Sequence, residues 1–195
     1  MQHALDWIEQ NTARLADLSD AVWGFAEVGL HETRSAAAQA DFLEREGFTV
    51  QRGTPGLPTA LIASYGQGRP IIGYLGEYDC LTGVSQKAVP YREPVCEGGP
   101  GHGCGHNLLG VGALGAAVAL KREIEAGTAR GTVRYYGCPA EDSASGKVFM
   151  AKHGVFNDLD AALTWHPGIF NTVRWGGNLA NNSVRFTFHG RTSHA

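Results

Sequence analysis

Cys104 and His106 stand two residues apart in the stretch GHGCGHN, residues 101–107, with His102 a further candidate beside them. Thiolate and imidazole are both good ligands for a borderline-soft ion such as Zn2+. The stretch opens a predicted helix, and a helix N-terminus lowers the pKa of a nearby thiol, which favours a thiolate ligand. A Gly-rich loop running into a helix can also cradle phosphate. This one lacks the Lys-Ser/Thr pair of a P-loop and the spacing of the dinucleotide fingerprint. A plain structural turn, or a catalytic Cys, is the other alternative.

Three further segments carry reactive side chains. GEYDCL puts Asp79 directly after the apolar run IIGYL, with Glu77 two residues earlier. Alone, Asp79 reads as a capping or turn carboxylate. GCPAED puts the adjacent carboxylates Glu141 and Asp142 after TVRYYG. Adjacent residues point different ways, so one can bind a metal while its neighbour faces a reacting water, although a lone acidic pair in a loop is usually solvated. TWHP puts His166 after AALTW, where a lone His is more often hydrogen-bonded structure. The shared position of these segments outweighs the plainer readings. Each lies at the C-terminal end of a predicted strand or in the loop after it, the edge where open α/β sheets bind ligands. Cys104, His106, a carboxylate and His166 together form a mixed S/N/O set, which suits a catalytic site with open positions better than a closed Cys-rich one.

The remaining candidates fit a structural role. His3, His31 and His153 fall in or beside predicted helices as surface residues, and His189 falls on the polar face of a late strand. Cys80 and Cys138 read as small buried residues, Cys96 as a loop residue, and Trp165 and Trp175 as core.

The elements that must hold these residues follow from periodicity. Residues 3–22 and 32–46 read as helices, the second stopped by Gly47. Strands are expected at 48–51, 59–64 and 71–75, the last as a buried central strand. Residues 82–103 form a long Gly- and Pro-containing loop of the kind that is functional or disordered. A helix over 107–126, a strand over 132–138, a helix over 144–153 and a strand over 161–165 complete the series. The alternation implies an α/β layered fold with a largely parallel sheet. The texture changes near Gly176-Gly177, and residues 182–189 alternate polar and apolar as a half-exposed strand of a different module. A strand with no partner is an unsatisfied structure, so the sequence reads as a piece of a longer protein.

Composition bounds the function. The 195 residues are 43% hydrophobic, enough for one domain or one domain plus part of another. Net charge is −3, which gives no basic field for a nucleic acid. No window is apolar enough to span a membrane, and the N-terminus carries no signal-like apolar core. Four Cys in no regular framework suit the reducing cytoplasm. Gly, at 27 residues, is about twice its usual ~7% share and points to tight turns and close backbone approaches.

The segments GEYDCLTGVSQ, GHGCGHNLLGVGALGAA, GCPAEDSASGKVFMAKHGVFNDLDAALTWHP and FTFHGRTSHA occur in this order and cover most of residues 71–195. Together they resemble the dinuclear-metal aminoacylase, hippurate hydrolase and carboxypeptidase family of amidohydrolases. Asn107, where the hippurate-hydrolase branch has Asp, makes the p-aminobenzoyl-glutamate hydrolase branch the better match. The resemblance implies a three-layer α/β zinc-peptidase-like catalytic domain, of which residues 1–177 are the N-terminal part. Residues 178–195 would begin an α+β lid and dimerisation domain. It implies metal-dependent hydrolysis of the amide bond of N-acyl or aroyl amino acids. Its cofactors would be two divalent ions, Zn2+ or Mn2+. Its partners would be a small-molecule amide substrate and a further copy or chain, in a homodimer or hetero-oligomer through the lid.

The implied ligands are Cys104, close to both ions, with His106, Asp142 and His166. Glu141 would be the general base, Asp79 would orient a ligand, and His194 would stabilise the oxyanion in the active site of the partner subunit. The chain departs from the family at Asp142, where the amidohydrolases usually carry a second Glu, and the family's last metal-binding His would lie downstream of residue 195. A non-catalytic metal-binding or interaction module of the same fold is the alternative; the presence of both Glu141 and His194 speaks against it.

Overall fold

The structure is a computed structural model that describes residues 1–173, 179–180 and 184–194. In chain order the elements are α1 (Gln2–Phe25), α2 (Thr33–Arg45), β1 (Thr49–Thr54), β2 (Leu57–Gln67), β3 (Ile71–Glu77), α3 (His106–Glu125), β4 (Gly131–Cys138), α4 (Glu141–Ala144), α5 (Gly146–Lys152) and β5 (Ala161–Leu163). The five strands form one sheet in the order β1-β2-β4-β3-β5.

Side chains alternate across the sheet with the period of two that a strand imposes. On β4, Val133 and Tyr135 face α1, α2 and α3, in a core with Trp7, Val22, Leu43, Leu114 and Val118. Tyr136 and Cys138 face the other way, against Leu57, Ala60, Met150 and Phe156. The sheet is therefore covered on both sides, a three-layer α/β/α arrangement. Burying a large apolar side chain such as Leu43 or Leu114 is worth about 1.5–3 kcal/mol each.

The sheet is mixed rather than largely parallel. β3 pairs parallel with β4 and β5, whereas β1/β2 and β2/β4 are antiparallel. The reason is local: Pro55 and Gly56 (φ +77°) join β1 to β2 as a hairpin, which can only run antiparallel. The middle strand is β4, not β3. β5 has only three residues, all exposed, so the IIGYL run is half-buried. β5 also stops short of the expected Trp165.

The helix expected over 144–153 begins earlier and in two pieces, α4 and α5, divided at Ser145 (φ +51°). Gly146 follows the break, and a Cβ there would lie 1.9 Å from the Pro139 carbonyl oxygen, so the close packing of α5 on that turn requires glycine. Glu141 and Asp142 consequently start a helical turn rather than sit in a loop.

The late strand is not formed over its described part. Residues 184–189 are exposed and make no ladder, because no strand among the described residues pairs with them. Trp175, Gly176, Gly177, Asn182 and Ser183 lie outside the described residues, as does the expected domain boundary at 177/178. No helix among the described residues is long and apolar enough to cross a membrane.

Candidate metal centre

The ends of β3 and β4 and the start of α3 converge because α3 lies unusually close to β3. Gly110 makes this possible: a Cβ there would stand 2.4 Å from the Glu77 carbonyl oxygen. Gly76 faces it with room for no side chain either, since a Cβ there would stand 2.9 Å from the Gly110 Cα. The close approach sets His106, the first residue of α3, beside the carboxylates that follow β3.

His106 is fully buried and is the hub of the cluster. Its Nδ1 lies 3.0 Å from Asp79 Oδ1, and the other Asp79 oxygen accepts the Asp142 backbone N–H at 3.1 Å. Asp79 thus fixes the imidazole and the start of α4 at once. With Nδ1 donating to a carboxylate, the ring is oriented for Nε2 to act as a ligand. Nε2 lies 3.0 Å from Glu77 Oε2 and 4.0 Å from Glu141 Oε2, and Nδ1 is 3.8 Å from Asp142 Oδ2.

Cys104 Sγ stands 3.3 Å from His166 Nε2. His166 Nδ1 donates to the Pro167 carbonyl at 2.9 Å, which leaves the Nε2 lone pair directed at the thiol side. The His106 and His166 rings meet edge to face at 5.7 Å. Three sets of potential ligand atoms result, each gathered within 4.8 Å: Cys104, His106 and His166; Glu77, His106 and Glu141; Asp79, His106 and Asp142.

The electrostatics follow from four carboxylates at one place. Burial alone would raise the Asp79 carboxyl, but the bond and charge of His106 and the backbone N–H groups of Asp142 and Glu141 outweigh it and hold Asp79 below its usual range. Burial lowers His106, yet Asp79, Glu77 and Asp142 raise it on balance. Glu141 is raised, first by burial and then by Glu77 and Asp142. Asp142 is raised by burial, then by Asp79 and Glu77.

The Cys104 thiol is raised too, by burial and by Asp142, Glu141, Glu77 and Asp79. This reverses the expectation of a thiol lowered by the helix N-terminus. Cys104 precedes α3 by two residues, and burial first, then the surrounding carboxylates, hold its thiol up. A bound cation would invert this balance, since a coordinating thiol loses its proton to solvent or a nearby base and binds as the thiolate.

Two observations fit these residues to a divalent cation. His106 Nε2 and Glu77 Oε2 are buried, and neither has a hydrogen-bond partner, which is costly without a ligand. The donors are a thiol, two imidazoles and several carboxylates, a set matched to Zn2+ and tolerated by Mn2+.

Not every candidate joins the cluster. His102 donates from Nε2 to the Val22 carbonyl oxygen at 3.1 Å and lines a separate cleft of about 760 Å3 with Trp23, Val84 and Lys87. His194 is exposed and makes no hydrogen bond to the cluster among the described residues. Trp165 lies against Gly112 and donates to Leu109 O at 3.2 Å, half-exposed rather than in the core.

Other residues take a role only in the fold. Glu77, noted in the sequence for its place two residues before Asp79, shares that side of the chain and joins the cluster. Lys147 pairs with its second oxygen. Glu32 is fully buried and accepts the Ala140 N–H at 2.7 Å and the Thr59 hydroxyl at 2.9 Å, so it anchors the turn that presents Glu141. No local signal distinguishes Glu32 from any surface Glu.

Fold and cluster together define a class: a three-layer α/β domain of the metallopeptidase type, with residues able to hold divalent ions at the C-terminal edge of its sheet. No family model matches the sequence. The structure is similar to a dinuclear metal binding peptidase from Bacillus subtilis, with a TM-score of 0.63 and 25% identity, over 78% of this chain and 42% of that one. In sequence, the chain is 48% identical over 195 residues to one of the subunits of the p-aminobenzoyl-glutamate hydrolase of Escherichia coli, covering 97% of this chain and 40% of the relative. It is 29% identical to the Xaa-Arg dipeptidase of Mus musculus, covering 100% of this chain and 44% of the relative. The chain thus belongs to the family of dinuclear-metal amidohydrolases and peptidases, and it spans about 40% of the length of the curated relatives it matches.

Proposed function

We propose that the protein is a metal-dependent amidohydrolase that cleaves the amide bond of an N-acyl or aroyl amino acid of the p-aminobenzoyl-glutamate type. The observation that carries this is His106, buried, held by Asp79 and common to all three sets of potential ligands, in a chain 48% identical to part of a p-aminobenzoyl-glutamate hydrolase. Cys104, His106, Asp142 and His166 would hold two divalent ions. Thiolate and imidazole favour Zn2+, and the carboxylates accept Mn2+.

When bound, the ions supply Lewis-acid polarisation of the amide carbonyl and an acidified water. Glu141 then takes the water's proton at its carboxylate and delivers it to the leaving amine. Its side chain is 40% exposed, open to the solvent side, and its raised pKa suits a group that must both accept and return a proton. Asp79 keeps the His106 ring in place through Nδ1. His194 would donate to the oxyanion in a neighbouring protomer's site, a contribution of typically ~3 kcal/mol for one good donor.

In this reading residues 1–177 belong to the catalytic domain and 178–195 begin a lid that makes a homodimer or hetero-oligomer. The other subunit of the Escherichia coli hydrolase is also a relative, 30% identical over 149 residues. The compartment would be the cytoplasm, where the four cysteines stay reduced; none is paired in the structure.

The test combines two measurements on the full-length protein. Elemental mass spectrometry after gel filtration should find two divalent ions per chain, lost in a Cys104→Ala, His166→Ala double variant. Liberation of p-aminobenzoate from p-aminobenzoyl-glutamate should depend on those ions. Metal bound without hydrolysis of any acyl or aroyl amino acid would favour a non-catalytic module instead.

A further inference from the structure

We infer that Glu77 is itself a metal ligand, binding through Oε2 the ion that His106 holds through Nε2, while Lys147 secures the other carboxylate oxygen. The inference rests on the proposed metal site and adds a ligand to it.

Glu77 is only 6% exposed, at the end of β3 and walled by α3 at Gly110. Its two oxygens have different surroundings. One is paired with the Lys147 ammonium. The other has no hydrogen-bond partner, and neither has His106 Nε2, 3.0 Å away. Two buried polar atoms at hydrogen-bond distance normally bond. These stand close as a charged pair, yet neither makes a hydrogen bond to the other or to any other group among the described residues.

Ligands of one ion adopt this disposition. Two donors each about 2.1 Å from a metal lie roughly 3.0–3.4 Å apart, for angles from a right angle to the tetrahedral one, and aim at a common point, not at each other. Asp79 already engages Nδ1 as the orienting acid, so Glu77 is not needed for that task. Glu141 Oε2, 4.0 Å from Nε2, falls within the same set of ligand atoms. The pairing with Lys147 leaves Glu77 with one free oxygen, which suits a monodentate ligand.

The experiment is titration of the full-length apoprotein with Co2+, read in the visible spectrum. Ligand-field bands report the ligands directly, and thiolate-to-cobalt charge transfer reports Cys104 independently. Glu77→Gln should weaken Co2+ binding at least about tenfold, since loss of even a group behind a ligand costs roughly 10–100-fold. It should also shift the ligand-field bands while the charge-transfer band persists. Glu77→Asp, which keeps the charge but retracts the oxygen, should show the same shift and guards against a misfolded amide variant. Lys147→Met, which removes only the group behind the carboxylate, should weaken binding less than Glu77→Gln and leave the band positions unshifted.

Unchanged affinity and bands in Glu77→Gln and Glu77→Asp would overturn the inference. Equal weakening in Glu77→Gln and Lys147→Met with unshifted bands would also overturn it, making the pair a positioning device only. A wild-type protein that takes up no Co2+ would defeat the metal site as a whole, a different failure from either of these.

Discussion

The carboxylate of Glu32 accepts the backbone N–H of Ala140 at 2.7 Å, tying the loop before α2 to the turn that carries Glu141. Ala140 has a left-handed backbone (φ +55°), unusual for a residue with a Cβ, and Gly29 leaves room for it. Glu32 also accepts from Thr59, and burial raises its carboxyl despite these bonds. Glu32→Ala would leave the Ala140 amide and the Thr59 hydroxyl without this acceptor, at about 1–3 kcal/mol for each buried group. Urea unfolding should show a loss of that size, and Glu32→Gln a smaller one, since its amide oxygen still accepts.

Gly110→Ala tests the approach of α3 to β3. The added Cβ would meet backbone, the Glu77 carbonyl oxygen at 2.4 Å, and no rotamer change relieves that. Overpacking of this kind costs about 1–3 kcal/mol. The shift would separate His106 from Glu77 and Asp79, so metal content should fall together with the melting midpoint. Gly24→Ala, where a Cβ meets nothing within 4 Å, is the control and should leave metal content unchanged.

Glu141→Gln separates chemistry from binding. The amide cannot take a proton, so turnover of an aroyl amino acid should drop by roughly 10²–10⁴. Cys104, His106, Asp142 and His166 are untouched, so the two-ion content should persist. Wild-type-like kcat with full metal would remove Glu141 as the base, and loss of metal would recast it as a ligand.

The placement of these residues is largely legible in the sequence because it follows from topology. β3 and β4 run parallel, so the chain that follows each, GEYDCL and GCPAED, emerges at the same edge, and α3 begins there with CGHN. The antiparallel half of the sheet is not legible from hydrophobic runs, which look alike in either direction; the Pro55-Gly56 turn is the available clue. Glu32 and Glu77 become buried only once α2, β3 and α3 pack, and one-dimensional spacing cannot report that. The Cys104 thiol departs from its local expectation because burial in the folded cluster, and then carboxylates between 25 and 38 residues away in the chain, raise it, and neither is visible in the local sequence.

Glu123 gives the fold a defined acid sensitivity. Its carboxylate accepts from the Thr128 hydroxyl and from the Ala4 backbone N–H at 2.9 Å, and it pairs with the N-terminal ammonium, so it joins the end of α3 to the start of α1. These bonds, Thr128 first, lower its pKa from 4.5 to about 2. A carboxyl lowered in the folded state binds protons more readily when unfolded, so its stabilisation is present above the unfolded value of 4.5 and is lost as pH falls toward about 2. Glu123→Gln keeps an acceptor but removes the ionisation. Thermal midpoints measured downward from neutral pH should therefore show the wild type more stable at first, with the gap closing between pH 4.5 and about 2. A gap that stays constant through that window would mean that the α1–α3 junction relies on the hydrogen bonds alone and not on the charge.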